Sequence, residues 1–202
     1  MSTPHHDPPP IVDYVTGQPL PNVGAEANRQ ALQRNLIDDR GFERDDITVN
    51  APIQVEVDGQ AYRSRVDLVV QVGQRTLMAI KCAAGSLDSR QREIVATARL
   101  LMDYEIPLAV ASNGKDALVW DTHSGNCIGS GLAAIPTRDQ AQQLAAEARF
   151  ATLDDRRRQR EAILFRAYDL DNVNRLQPNQ LDPDRDERGP YGASGERPIE
   201  GF

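Results

Sequence analysis

Arg65-Val66-Asp67-Leu68-Val69-Val70 and, after Gly73-Gln74-Arg75, Thr76-Leu77-Met78-Ala79-Ile80-Lys81-Cys82 form the stretch on which the reading of this chain turns. Apolar and β-branched residues dominate both runs, and the triplet between them supplies a reversal, so the pattern predicts two antiparallel strands. Each strand also carries a charge. Asp67 interrupts the first and Lys81 nearly closes the second, and a charge on a buried strand is costly unless it has a partner or a task.

Upstream, Ala27, Ala31, Leu32 and Leu36 recur at helical spacing between Ala25 and Asp39, with Gly41 as a C-terminal cap. Ile47-Thr48-Val49 reads as a short strand, and beyond Pro52 the run Ile53-Gln54-Val55-Glu56-Val57 alternates as a half-buried strand does. Asp58-Gly59 then turns the chain back through Ala61-Tyr62-Arg63 into the Asp67 strand. The order is a helix followed by an antiparallel meander.

Downstream, Ser86 is a candidate cap for a helix whose face carries Leu87, Ile94, Ala98 and Leu101. Tyr104-Glu105-Ile106-Pro107 ends it. Leu108-Ala109-Val110-Ala111-Ser112 is apolar throughout, as expected of a strand covered on both sides, and Asn113-Gly114 is a turn. A helix between the Lys81 strand and the Leu108 strand requires these two to run parallel. Ala117 to Asp121 and Cys127 to Ser130 form a further hairpin, with Trp120 as a core or rim residue. Past Pro136, Ala141, Leu144, Ala145 and Ala148 mark one helix, and Ile163, Leu164 and Ala167 mark another. Arg156-Arg157-Arg158-Gln159-Arg160 lies between them, flanked by Asp154, Asp155 and Glu161, and reads as a solvated helix face.

A chain of 202 residues can bury one substantial core, and 40% hydrophobic residues are enough to fill it. Thirteen prolines gather near the two ends. The expected organisation is a flexible arm over residues 1–22, a folded domain over 23–136, a helical extension over 137–176 and a disordered tail over 177–202. His5-His6 in the arm read as solvated residues, since two side chains in a flexible segment fix no coordination geometry. A formal net charge of -7 and a pI near 5.0 oppose binding to polyanions except through a local basic patch. Cys82 and Cys127 are the only cysteines, without a paired motif for zinc, and read as reduced thiols. The first ten residues lack an apolar signal core, and no run approaches the roughly 18 apolar residues of a membrane span, so a soluble cytoplasmic protein is expected.

Taken as an ordered set, the helix carrying Glu26, the meander, the Asp67 hairpin, the helix after Ser86 and the Ser112-Asn113-Gly114 strand end resemble the N-terminal nuclease domain of type I restriction enzyme R subunits. That domain is of the PD-(D/E)xK superfamily, and the likeness covers about residues 11 to 136. The resemblance implies an α/β fold with an α+β tendency: a restriction-endonuclease-like mixed central sheet flanked by helices, followed here by the helical extension. It also implies carboxylates on adjacent strands that hold a divalent cation, Mg2+ in the usual case, and a lysine two residues after the second carboxylate that orients the attacking water. Asp67 matches the first carboxylate, and Glu26 matches a helix acid that joins the metal shell. The third element departs from the pattern. If Ile80-Lys81-Cys82-Ala83 aligns with the family's Ile-Glu-Cys-Lys, then Lys81 replaces the acid and Ala83 the lysine. If Ala79-Ile80-Lys81 is the motif, the lysine is kept and the acid has become alanine. Residue spacing favours the first register.

Exchanging a carboxylate for an ammonium changes the local charge by two units, each worth about 4 kcal/mol at 4 Å and an effective dielectric near 20. That weakens a divalent-cation site, leaving Glu26 and Asp67 as the remaining candidate ligands and Glu26, Asp67 and Lys81 as the candidate catalytic set. Three readings follow. The first is a DNA-binding module with a weakened or lost nuclease site, in which Arg90, Gln91, Arg92 and Arg99 on or beside the following helix contact the nucleic acid. The second is a non-catalytic module that engages a protein partner through the C-terminal helices and tail. The third is an active endodeoxyribonuclease that depends on Mg2+. A different hydrolase finds no support, because His123 is the only histidine outside the arm and no nucleophile-histidine-acid set is visible.

Overall fold

The computed structural model describes residues 9–170. The chain begins with a small hairpin, β1 (Ile11–Val12) and β2 (Pro19–Leu20), then a helix, α1 (Glu26–Arg34), which continues as a π-turn over Asn35–Asp39. Six strands follow: β3 (Ile47–Val57), β4 (Gln60–Val72), β5 (Arg75–Cys82), β6 (Leu108–Ser112), β7 (Ala117–Asp121) and β8 (Cys127–Ser130). They form one sheet in sequence order, parallel only between β5 and β6. The connection between those two strands carries α2 (Gln91–Leu100), and α3 (Arg138–Glu147) and α4 (Asp155–Leu170) complete the fold. This is the mixed α/β sheet flanked by helices that the sequence predicts.

Each face of the sheet has its own core. On one, α2 and α4 cover Ala79, Ala83, Val69 and Trp120, with Ile94, Ala98, Ala162 and Phe165 supplied by the helices. On the other, α1 and α3 cover Leu68, Val70, Met78, Ile80 and Val110, with Leu32, Leu36 and Ala141 from the helices. Burial of each large aliphatic side chain contributes about 1.5–3 kcal/mol, so the β5–β6 pair, buried on both faces, is the most heavily stabilised part of the sheet. The turn between β3 and β4 puts both Asp58 and Gly59 at positive φ, 53° and 73°, the tight hairpin expected of Asp-Gly.

Three expectations change. Pro52 does not divide two strands; β3 runs through it, tolerated because β3 is an edge strand with only β4 as neighbour. Ser86 does not cap α2: its carbonyl accepts the Ser89 hydroxyl, and a 3-10 turn over Asp88–Arg90 leads into the helix. Residues 11–20 are no loose arm, because the hairpin is held by the buried carboxylate of Asp13. The helices expected past residue 136 are α3 and α4, and Ala141 and Phe165 place them against the two cores. The Asp169 carboxylate of α4 also accepts the hydroxyls of Tyr62 and Ser64 at 2.6 and 2.7 Å. His5 and His6 and the tail expected over 177–202 lie outside the described residues. Among the described residues no helix is long and apolar enough to cross a membrane.

Candidate functional site

Strand alternation should put residues two apart on the same face of a sheet. Around Asp67 it does not. Val49 packs into the α1/α3 core and Ala51 into the α2/α4 core, and the residue between them, Asn50, has a positive φ of 54°. On β4 the same change of face falls between Val66 and Leu68. Asp67 therefore stands where the β3–β4 ribbon swaps sides. The pairing of β4 with β5 reaches Leu68–Ile80, and beyond it the Asp67 carboxylate accepts the Cys82 N–H at 2.7 Å. A side chain thus takes over an acceptor position that the separating strand leaves empty.

Lys81 comes from the last turn of β5 on the α2 side. Its ammonium lies 3.0 Å from Glu93 Oε1 and 3.9 Å from Asp67 Oδ2, and its side chain is only 5% exposed. The approach to Asp67 is too long for a hydrogen bond and the one to Glu93 lacks its angles, so both attractions are ionic. Glu93 is 2% exposed and meets Arg90 at 3.6 Å as well. Glu93 thus has a cation on two sides, and its buried charge is tolerated because it is paired. Glu93 is absent from the sequence reading. Its carboxylate faces Lys81 on β5, and with the sheet on one side and α4 packed over α2 on the other every residue from Glu93 to Ala98 is buried.

Glu26 belongs to a second cluster on the α1 side. Its carboxylate is bound by Arg29 at 2.8 Å and by the Gln30 amide at 2.8 Å. Arg29 reaches on to Asp13 at 3.3 Å. Asp13 accepts the N–H groups of Val15 and Thr16 and the side-chain amides of Gln30 and Gln33. Burial alone would raise the Asp13 pKa; the Thr16 N–H, the Gln33 and Gln30 amides and the Arg29 charge outweigh it and leave the pKa below the usual value. Between the clusters sits Cys82, buried, its thiol pushed well above the ordinary range by desolvation and by Asp67, while Arg29 and Lys81 pull the other way and Glu26 adds to the rise. Asp67 and Lys81 are thus in contact, and Glu26 is their neighbour across the thiol with partners of its own. The N-terminal half of α1 is placed by two contacts at the strand ends. Asn28 donates to the Ala83 carbonyl at 2.8 Å, and Gly114 packs so tightly that a Cβ there would stand 2.7 Å from the Asn28 carbonyl oxygen.

Residues 24–136 match the family described as type I restriction enzyme R protein N terminus (HSDR_N). The chain belongs to this family. Among solved structures, a fragment assigned to an HsdR subunit of a type I restriction enzyme from Vibrio vulnificus YJ016 is similar at 15% identity and a TM-score of 0.48. That likeness covers 62% of this chain and 26% of the other, so this R-protein N-terminal relative spans about a quarter of the longer chain. No curated protein matches significantly.

The metal shell expected of this family can be tested against the donors present. Mg2+ takes about six oxygens at about 2.0–2.1 Å in near-octahedral array. Asp67 faces Lys81 and the Cys82 N–H, Glu93 faces Lys81 and Arg90, and Glu26 faces Arg29 and Gln30. Among the described residues no three His, Cys, Asp or Glu side chains are arranged to hold a metal ion. The donor set fits an internal ammonium and does not fit a divalent cation.

The polar residues of α2 are also occupied. Arg90 pairs with Glu93, Gln91 donates to the Gly125 carbonyl at 2.9 Å, and Arg92 donates to the Tyr168 hydroxyl at 2.8 Å. Arg99 is bound by Glu161 at 2.8 Å and by the Thr122 carbonyl. It tethers α4 to the end of β7.

Proposed function

We propose that this family member is a nuclease-fold DNA-binding module that does not carry out metal-dependent phosphodiester hydrolysis. The observation that carries the second half is the Lys81 ammonium, seated between Asp67 and Glu93. It faces Asp67 across the β4–β5 pair, one step beyond Leu68–Ile80, whereas Ala79 pairs with the core residue Val69. This supports the register in which Lys81 replaces the acid and Ala83 the lysine. DNA as ligand is supported by the family's description as part of a restriction enzyme. Arg90 at the mouth of the cluster is the cation best placed to meet a phosphate, being partly exposed beside it.

The test has two arms. Plasmid DNA incubated with the purified chain in Mg2+ or Mn2+ is expected to stay intact; cleavage that Asp67→Ala abolishes would overturn the loss of hydrolysis. Binding to duplex DNA is expected to fall steeply with salt and to weaken in Arg90→Ala. Absence of binding at about 50 mM salt would sink the DNA reading.

A second reading, a protein-interaction module on the same scaffold, has its own observation. The outer face of α4 exposes Ile163, Leu164 and Leu170. Under this reading DNA binding fails and substitution of these residues by serine leaves the fold intact while abolishing capture of the partner.

A further inference from the structure

The sheet has a free edge beside a groove. β3 pairs only with β4, and the two-residue Asp58-Gly59 turn closes on the Val57–Gln60 pair. In an antiparallel ladder bonded pairs alternate with unbonded ones, so the N–H and C=O groups of Gln54 and Glu56 point away from β4. Among the described residues no other backbone group takes up these donors and acceptors. Between this edge and the first half of α4 lies a groove of about 540 Å³. Val55, Val57 and Ala162 give it an apolar lining, and Ile163, 53% exposed, stands at its wall. Strand alternation sends the side chains of Gln54 and Glu56 to the other, open face of the sheet. Three acids surround the groove, Glu56, Asp58 and Asp155, against one cation, Arg158, which donates to the Met102 carbonyl at 3.3 Å.

We propose that the β3 edge and this groove bind an extended segment of a partner protein in which apolar residues alternate with lysine or arginine, added to the sheet as a further strand. Main-chain bonds to Gln54 and Glu56 give affinity that is blind to sequence, and side chains give the choice. Residues of the segment on the α4 side enter the groove over Val55 and Val57 and against Ile163, so they are apolar. Those on the open side stand beside Gln54 and Glu56, where a cation is favoured as the cross-strand neighbour of the Glu56 carboxylate. The acids argue against a second copy of this chain, whose own β3 would bring Glu56 and Asp58 up to the same residues. Pro52 has no N–H to offer, so the usable edge runs from Ile53 to Val57, about 17 Å at about 3.4 Å per residue. The proposal does not depend on DNA binding. Of the α4 residues named for protein capture it uses only Ile163.

The probe is an end-blocked hexapeptide that alternates valine with lysine, labelled with fluorescein, titrated with the full chain and followed by anisotropy. Saturable binding with a Kd below about 1 mM is expected. Glu56→Lys and Ile163→Ser should each weaken it about threefold or more, while Leu164→Ser and Leu170→Ser leave it unchanged. N-methylation of one alternate set of peptide amides should weaken binding at least about tenfold, and of the other set less than about twofold, because only one set faces β3. An equal effect of the two sets overturns the proposal, as does equal binding of a peptide with glutamate in place of lysine, or no binding to the folded chain. Binding that appears only after residues 171–202 are removed would make the chain's own tail the occupant, and a dimer that the peptide dissociates would make it a second copy; either result overturns the proposal. DNA binding, and capture of a partner through Leu164 and Leu170, are measured on the same variants, so failure of those readings and failure of this proposal give different results.

Discussion

The two buried polar clusters at the end of β5 lie on either side of one thiol and are built on different principles. Around Asp13, two backbone N–H groups and two side-chain amides donate to one carboxylate, and the Arg29 guanidinium stands 3.3 Å from it as an ion pair. Around Lys81, the ammonium has opposite charges on two sides and no hydrogen bond. The first is a directional staple that fixes the β1–β2 hairpin on α1, and it has no need of a ligand. The second is a balance of charges, sensitive to the removal of any one of them. In this fold the carboxylate with four hydrogen bonds serves structure, and the ammonium without one marks the position where the family's chemistry is expected.

The contrast is broken most directly by taking the charge from Lys81. Lys81→Met should lower stability by about 3 kcal/mol in urea denaturation, because Glu93 loses the cation at 3.0 Å and keeps the longer contact to Arg90, so the cost falls at the low end for a broken buried pair. Lys81→Met/Glu93→Gln should recover a large part of that loss. A cost below about 1 kcal/mol in the single variant would show that the cluster is wetter than its burial implies.

Asp13→Ala leaves several buried donors without an acceptor and should cost about 2–4 kcal/mol by the same measurement. Its signature is loss of the hairpin, seen as early amide exchange across residues 11–20.

Acid sharpens the comparison further. The Asp13 pKa is lower folded than unfolded, so its contribution to stability is complete above the ordinary carboxylate range and is lost as pH falls through the depressed folded value. Asp13→Asn should therefore flatten the stability profile below about pH 4, where the unaltered chain loses stability. An unchanged acid limb would mean that Asp13 is not the group holding it.

The smallest effect is at the thiols. Cys127 is exposed and should react with a thiol reagent at once, while Cys82, buried between the clusters with its pKa raised, should react only as the chain opens. Prompt reaction of both would show that the strand end separating the clusters is open.

Much of this arrangement is legible in the chain. Periodicity places α1, β4, β5, β6 and the β7–β8 hairpin, because their apolar faces are set by local spacing. The Asp67–Lys81 contact follows from two charges on adjacent strands. What spacing hides is the role of long-range cover. Glu93 reads as one more polar residue on an amphipathic helix until α4 is laid over it, and α4 has apolar residues on both its inner and outer sides, so its docking face is not marked by a stripe. The change of face at Asp67 is likewise silent, since Val66 and Leu68 keep a regular alternation while pointing into different cores. Asn50, a residue type that tolerates positive φ, is the one local sign of it. Glu26 was legible as an acid near the strand end. Its commitment to Arg29 and Gln30 follows helical spacing, three and four residues on, whereas the reach of Arg29 to Asp13 is silent in the sequence because it needs α1 packed against the hairpin.

Gly114 sits at the β6–β7 turn with φ +79° and no room for a methyl group against the Asn28 carbonyl. Any side chain at 114 would have to displace the start of α1 or the turn itself. Gly114→Ala would therefore be felt at a distance from the turn, at the Asn28 bond to the Ala83 carbonyl and, along the same helix, at Glu26 and Arg29.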